Sequence, residues 1–149
     1  MLTIHAAGEV RRTWDDPEPV KDGAVVVTGT SIEAVGPLAA LVERFPGARV
    51  RRWPGILGPA HVHEGPLPEA PTPRERVHAV LKLGAVAVLE QYADSPGLRA
   101  AAARNDVVVL PHTRPAALVE NGRADLAVLD DTGACLATVC AGRLVHRRR

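Results

Sequence analysis

Aromatic side chains are nearly missing from this chain: one Phe, one Tyr and two Trp make up 3% of 149 residues. Any core must therefore rest on Val, Leu, Ala and Ile, and the 46% apolar content is enough to bury one. Cysteine is equally scarce, with only Cys135 and Cys140. At that spacing they would point to opposite faces of one strand, so neither a CxxC redox pair nor a local disulfide suits them. Reduced thiols in a cytoplasmic protein are the reading that fits. Lysine is almost absent too, at Lys21 and Lys82 only, and the net charge of +1 gives no field with which to hold nucleic acid. The basic run Arg147-Arg148-Arg149 reads as a solvated end. There is no long apolar stretch, and "MLTIHAAGEV" has no charged leader, so neither a signal peptide nor a membrane span is expected. No glycine-rich phosphate loop is present. Ser31 and Ser95 have no His or Asp at a spacing that would mark a serine nucleophile.

What the chain does have is strand and helix punctuation. "GAVVVTGTSIEAVG" reads as a hairpin, with Ala24–Thr28, a turn at Gly29-Thr30, then Ser31–Val35. The preceding "RRTWDDPEPVKDG" reads as loop. "PLAALVERF" places Leu38, Leu41, Val42 and Phe45 at helical spacing. "ARVRRWPG" reads as a strand closed by Pro54-Gly55. "EGPLPEAPTP" carries four prolines and must be loop. Thr72, Pro73 and Glu75 together signal the start of a helix over about 73–83, and Ser95 caps a second over about 96–104. Apolar strands at about 56–60, 85–89 and 107–110 alternate with these helices, the pattern of a parallel βαβ sheet. The last third reads as strand, Asp-Thr-Gly turn, long strand, glycine break and short strand.

Three passages resemble the amidohydrolase superfamily, and its imidazolonepropionase-like members most of all. "KDGAVVVTGTSIEAVGP", residues 21–37, is similar to the opening hairpin of that family. "PGILGPAHVH", residues 54–63, is similar to the segment that enters the first barrel strand and ends in a His-x-His metal motif. "GRADLAVLDDTGACLATVCAGRLVH", residues 122–146, is similar to the closing segment, whose strands rejoin the N-terminal ones. The resemblance implies a mixed α/β protein. Residues 1–54 and 116–149 would form a composite β-sandwich, and 55–115 a shortened βα insert in place of a barrel. Only 60 residues, 64–123, lie between His63 and Ala124, whereas a full barrel takes about 250. The later barrel strands, which carry the family's remaining metal ligands and acid, have no room here. Pro59 stands near the place of the Asp that precedes the first His.

His61 and His63 are two apart, so on a strand both imidazoles share a face. Two imidazoles supply half of a tetrahedral zinc shell, and a catalytic site needs a third ligand. Glu90 ends the second apolar strand, His112 follows the third, and Glu64 adjoins the pair. In a parallel sheet, sites gather at the carboxyl ends of the strands. One expectation is therefore a divalent metal, zinc by its donors, on His61, His63 and His112, with Glu64 or Glu90 as general base. Its substrate would be a small cyclic amide, amidine or amino-heterocycle, hydrolysed or deaminated. The other expectation is a non-catalytic relic that serves as a scaffold, interaction or ligand-binding protein, with the histidines as inherited markers. An open sheet edge and strands apolar on both faces lead to a further expectation of a homodimer.

Overall fold

The computed structural model describes residues 2–148. Three strands open the chain: β1 (Leu2–Val10), β2 (Val20–Thr28) and β3 (Ser31–Pro37). The hairpin turn falls at Gly29-Thr30, as the sequence implies, with Gly29 at φ 59. β2 starts earlier than expected, because Val20–Gly23, read as loop, pair with β1 and β3. α1 (Leu38–Arg44) follows, and then the long strand β4 (Arg49–Pro59).

β4 corrects two expectations. Pro54-Gly55 does not end the strand. It forms a bulge opposite Gly8, with the register to β1 slipping between Ala7 and Glu9 and Gly55 at φ 92. A bulge absorbs both a residue without an N–H and one in the left-handed region, so the strand bends and continues. In consequence Ile56–Pro59 belong to the large sheet, antiparallel to β8 (Leu126–Leu129), and not to a parallel sheet over 56–60. The sheet thus extends to Pro59 rather than ending at residue 54. The chain changes sheets within one peptide step: Ala60 N–H donates to Asp125, and His61 N–H donates to Gly84.

The insert begins there with β5 (His61–His63), then α2 (Pro73–Lys82), β6 (Ala85–Leu89), α3 (Pro96–Arg104) and β7 (Val108–Leu110). Its strands form a three-stranded parallel sheet in the order β5-β6-β7. Both helices start on the side chains that the sequence marks: Thr72 Oγ1 accepts from Glu75 N–H at 3.2 Å, and Ser95 Oγ from Leu98 N–H at 3.1 Å. Val77, Val80, Leu81, Leu98, Ala101 and Ala102 face the core.

β8 is followed by β9 (Cys135–Cys140) and β10 (Arg143–Arg147), and together with the N-terminal strands they make a seven-stranded sheet, β10-β9-β8-β4-β1-β2-β3. The sheet curls back on itself, because Ser31 of β3 bridges to Arg123 just ahead of β8. Val25 and Val27 pack inside the curl with Ile32, Leu57, Leu126 and Val139, while Ala24 and Val26 face α1 through Leu41. Burial on both faces explains the unbroken apolar run of β2. The insert shares its core with the back of β8 and β9, and Thr138 Oγ1, fully buried, donates to the Leu81 carbonyl at 2.6 Å. The architecture is mixed α/β, with no closed barrel among the described residues. Among those residues no helix is long and apolar enough to cross a membrane. Cys135 and Cys140 are free thiols.

Candidate functional site

The sheet change at Ala60-His61 creates a concavity that carries the expected site residues His61 and Glu64. On one side, a cleft of about 310 Å³ lies between β5–β6 and the strap 114–119, lined by His61, Val62, Val86, Ala87, Arg114 and Asp125 among others. A wider one of about 540 Å³ continues past His61 to Trp14, Asp15, Glu64 and Thr113. Arg114, Pro115 and Ala116 border both, so the strap forms a common wall.

His61 stands between the two. Its ring stacks on Trp14, with centroids 5.4 Å apart and planes at 26°. Trp14 is held in turn by its Nε1–H, which donates to the Pro59 carbonyl at 2.7 Å, and by Gly58, where any Cβ would press into the indole at 2.7 Å. Burial holds the His61 imidazole below its ordinary pKa, because the cation would lose hydration. A neutral imidazole against an indole is the result at pH 7.

The other expected site residues are dispersed. His63 donates from Nε2 to the Pro66 carbonyl at 2.9 Å. Glu64 is exposed and accepts from Thr113 Oγ1, which ties the end of β5 to the strap. Glu90 and His112 are both exposed. Among the described residues no group of three His, Cys, Asp or Glu side chains gathers into a cation site, so the expected convergence of His61, His63 and His112 with Glu64 or Glu90 is not formed. The donor set does not fit a metal. One imidazole is packed on a ring, the other is committed to a carbonyl, and two nitrogens are half a shell.

Sequence reasoning missed Trp14, which sits in a stretch read as loop, and Arg114, which follows the third apolar strand; a lone tryptophan among polar residues was the available signal. Asp125 has a structural role. Its Oδ1 accepts from Arg123 Nε at 3.0 Å and from Ala141 N–H at 2.9 Å, which fastens β8 to the β9–β10 turn.

Residues 23–48 match the model of the bacterial imidazolonepropionase-like composite domain. No curated protein matches the chain. Among solved structures the chain is similar to guanine deaminase from Bradyrhizobium japonicum, with a TM-score of 0.56 and 17% identity, covering 73% of this chain and 34% of that one. E. coli guanine deaminase gives a TM-score of 0.54 at 18% identity, covering 73% of this chain and 35% of that one. A mutant of atrazine chlorohydrolase from Arthrobacter aurescens TC1, complexed with zinc and atraton, gives 0.51 at 17% identity, with 72% and 34% covered. The chain therefore spans about a third of the length of the structures it matches.

Proposed function

The chain carries the fold of the amidohydrolase superfamily in truncated form, and from that premise we propose that it is a non-catalytic member whose cleft around His61 takes a small polar, planar ligand. One observation carries the reading: among the described residues no third donor gathers beside the His-x-His pair, and His63 Nε2 is already committed to the Pro66 carbonyl. The cleft offers a flat aromatic wall, a neutral imidazole and the Arg114 guanidinium. That combination suits a planar molecule with carbonyl or carboxylate oxygens at its edge. The reading extends to a homodimer, because among the described residues β7 pairs with β6 alone and leaves an edge open. It extends to the cytoplasm as well, supported by the two free thiols.

A second reading is a metal-dependent hydrolase or deaminase of a small cyclic amide, amidine or amino-heterocycle. His61, His63 and His112 would be its ligands and Glu64 or Glu90 its proton acceptor. The retained His-x-His on β5 favours it, as does the bond that carries Glu64 to Thr113. This reading requires the His63–Pro66 bond to open and a third ligand to move in beside the pair. Metal analysis of protein purified without chelator separates the two. The binding reading expects substoichiometric zinc and no turnover of a panel of cyclic amides and amino-heterocycles. Stoichiometric zinc that is lost on replacing His61 and His63 by Ala would overturn it.

A further inference from the structure

The outer edge of β4 is rich in arginine, with Arg49, Arg51 and Arg52 within five residues. From Arg49 to Trp53 the strand pairs with β1 on one side only, since the pairing with β8 covers Ile56–Pro59. Alternate N–H and C=O groups along Arg49–Trp53 therefore face outward without a partner among the described residues. Arg49 and Arg51 share one face of this edge, and Val50 and Arg52 the other. Arg147 of β10 leans over the Trp53 ring, its guanidinium carbon 5.5 Å from the centroid. Burial first, and then the charges of Arg49 and Arg147, hold the Arg51 guanidinium below its ordinary pKa, which places the three cations in one field. The ion pairs among the described residues use Arg11, Lys21, Arg123, Arg143 and Arg148, and none uses this cluster.

Like charges held together without a counter-charge cost free energy, and an open ladder leaves strong hydrogen-bonding groups in water. A second copy of the same edge would bring the same arginines and be repelled. A nucleic acid would answer the charge but not the ladder. We propose that the Arg49–Trp53 edge is a docking site for an extended acidic segment of a partner protein. The segment adds as a strand beside β4 and sets alternate carboxylates against Arg49, Arg51 and Arg147. Val50, 37% exposed, offers an apolar seat for the intervening side chains. The bulge at Pro54-Gly55 ends the added ladder at one side.

The probe is a fluorescent peptide of alternating Val and Glu, about eight residues long, a common strand length. It should bind the full chain, and the Arg49→Glu/Arg51→Glu variant should weaken binding at least about tenfold, as expected for lost hydrogen bonds to charged groups. Methylating alternate backbone amides of the peptide should abolish binding, because the ladder cannot form. The charge-reversed protein should in turn take up a Val–Lys peptide, a gain that an unfolded variant would not show. Three results would overturn the proposal. The Val–Glu peptide does not bind, the methylated peptide or single-stranded DNA of equal charge binds as tightly, or the reversed variant binds both peptides as the parent does.

Discussion

Trp53 Nε1–H donates to His5 Nδ1 at 3.2 Å, with the two rings stacked 6.3 Å apart at 13°. The bond links β1 to β4, and His5 is only 3% exposed. To accept from the indole, Nδ1 must carry a lone pair, so the ring is neutral. Burial, and then the charge of Arg51, lower the His5 pKa from 6.5 to about 4. The unfolded chain therefore binds more protons than the folded one between these values. The stabilisation is fully present above pH 6.5 and is lost as pH falls through 6.5 toward 4, by about 3 kcal/mol in all. Burial shifts His61 and His146 in the same direction, so a variant must isolate His5. His5→Gln keeps an acceptor for Trp53 and removes the titration. Urea midpoints at pH 7 and pH 4.5 should drop much less for the variant than for the parent. Equal drops would refute the assignment.

Gly55 and Leu129 set the bulge. A Cβ at Gly55, with φ 92, would lie 2.3 Å from the Leu129 carbonyl oxygen, a backbone atom that cannot swing away. Gly55→Ala should cost about 3 kcal/mol, combining left-handed strain with a clash. Gly142 is similar, since its Cβ would fall within 2 Å of the Gly29 carbonyl. Gly29 itself has φ 59 but open space around it, so Gly29→Ala should cost only about 1 kcal/mol. The order of the three melting temperatures checks this, and it fails if Gly29→Ala is the most damaging.

These glycines also show what could be read from the sequence. Thr72, Ser95 and the Gly29-Thr30 turn act through neighbours in the chain, so their capping and turn roles were legible. Pro54-Gly55 carries the same local signature as a strand end. Only the facing Gly8 and the pairing of Ile56 with Leu129 turn it into a bulge. The candidate site divides in the same way. The shared face of His61 and His63 follows from their spacing. Their partners, Trp14 and the Pro66 carbonyl, depend on how a loop folds over the sheet, which no periodicity records.

Trp14 shields His61, and removing it should be visible at the histidine. Trp14→Ala admits water to the imidazole, so its pKa should rise toward the ordinary value. The variant also loses a half-buried indole and its bond to Pro59, worth about 2 kcal/mol. An NMR titration of the imidazole protons checks the shift. No change at His61 would show that the stacking does not control its surroundings.

The last expectation concerns zinc and the folded state. A ligand that binds only the native protein raises its stability by about 2.7 kcal/mol when present at a hundredfold over its Kd. A metal held by His61, His63 and a third group would follow this rule, with bonds of about 2.0–2.2 Å. Here the third group does not gather, and binding must first release His63 from Pro66. That release offsets part of what two imidazoles could contribute. Zinc added up to millimolar concentration should therefore leave the melting temperature of the parent unchanged. The His61→Ala/His63→Ala variant should respond in the same way and stay folded, because the seven-stranded sheet that carries most of the core does not include either residue. A zinc-dependent rise in the parent that the double variant lacks would restore the metal centre, and with it the hydrolase reading.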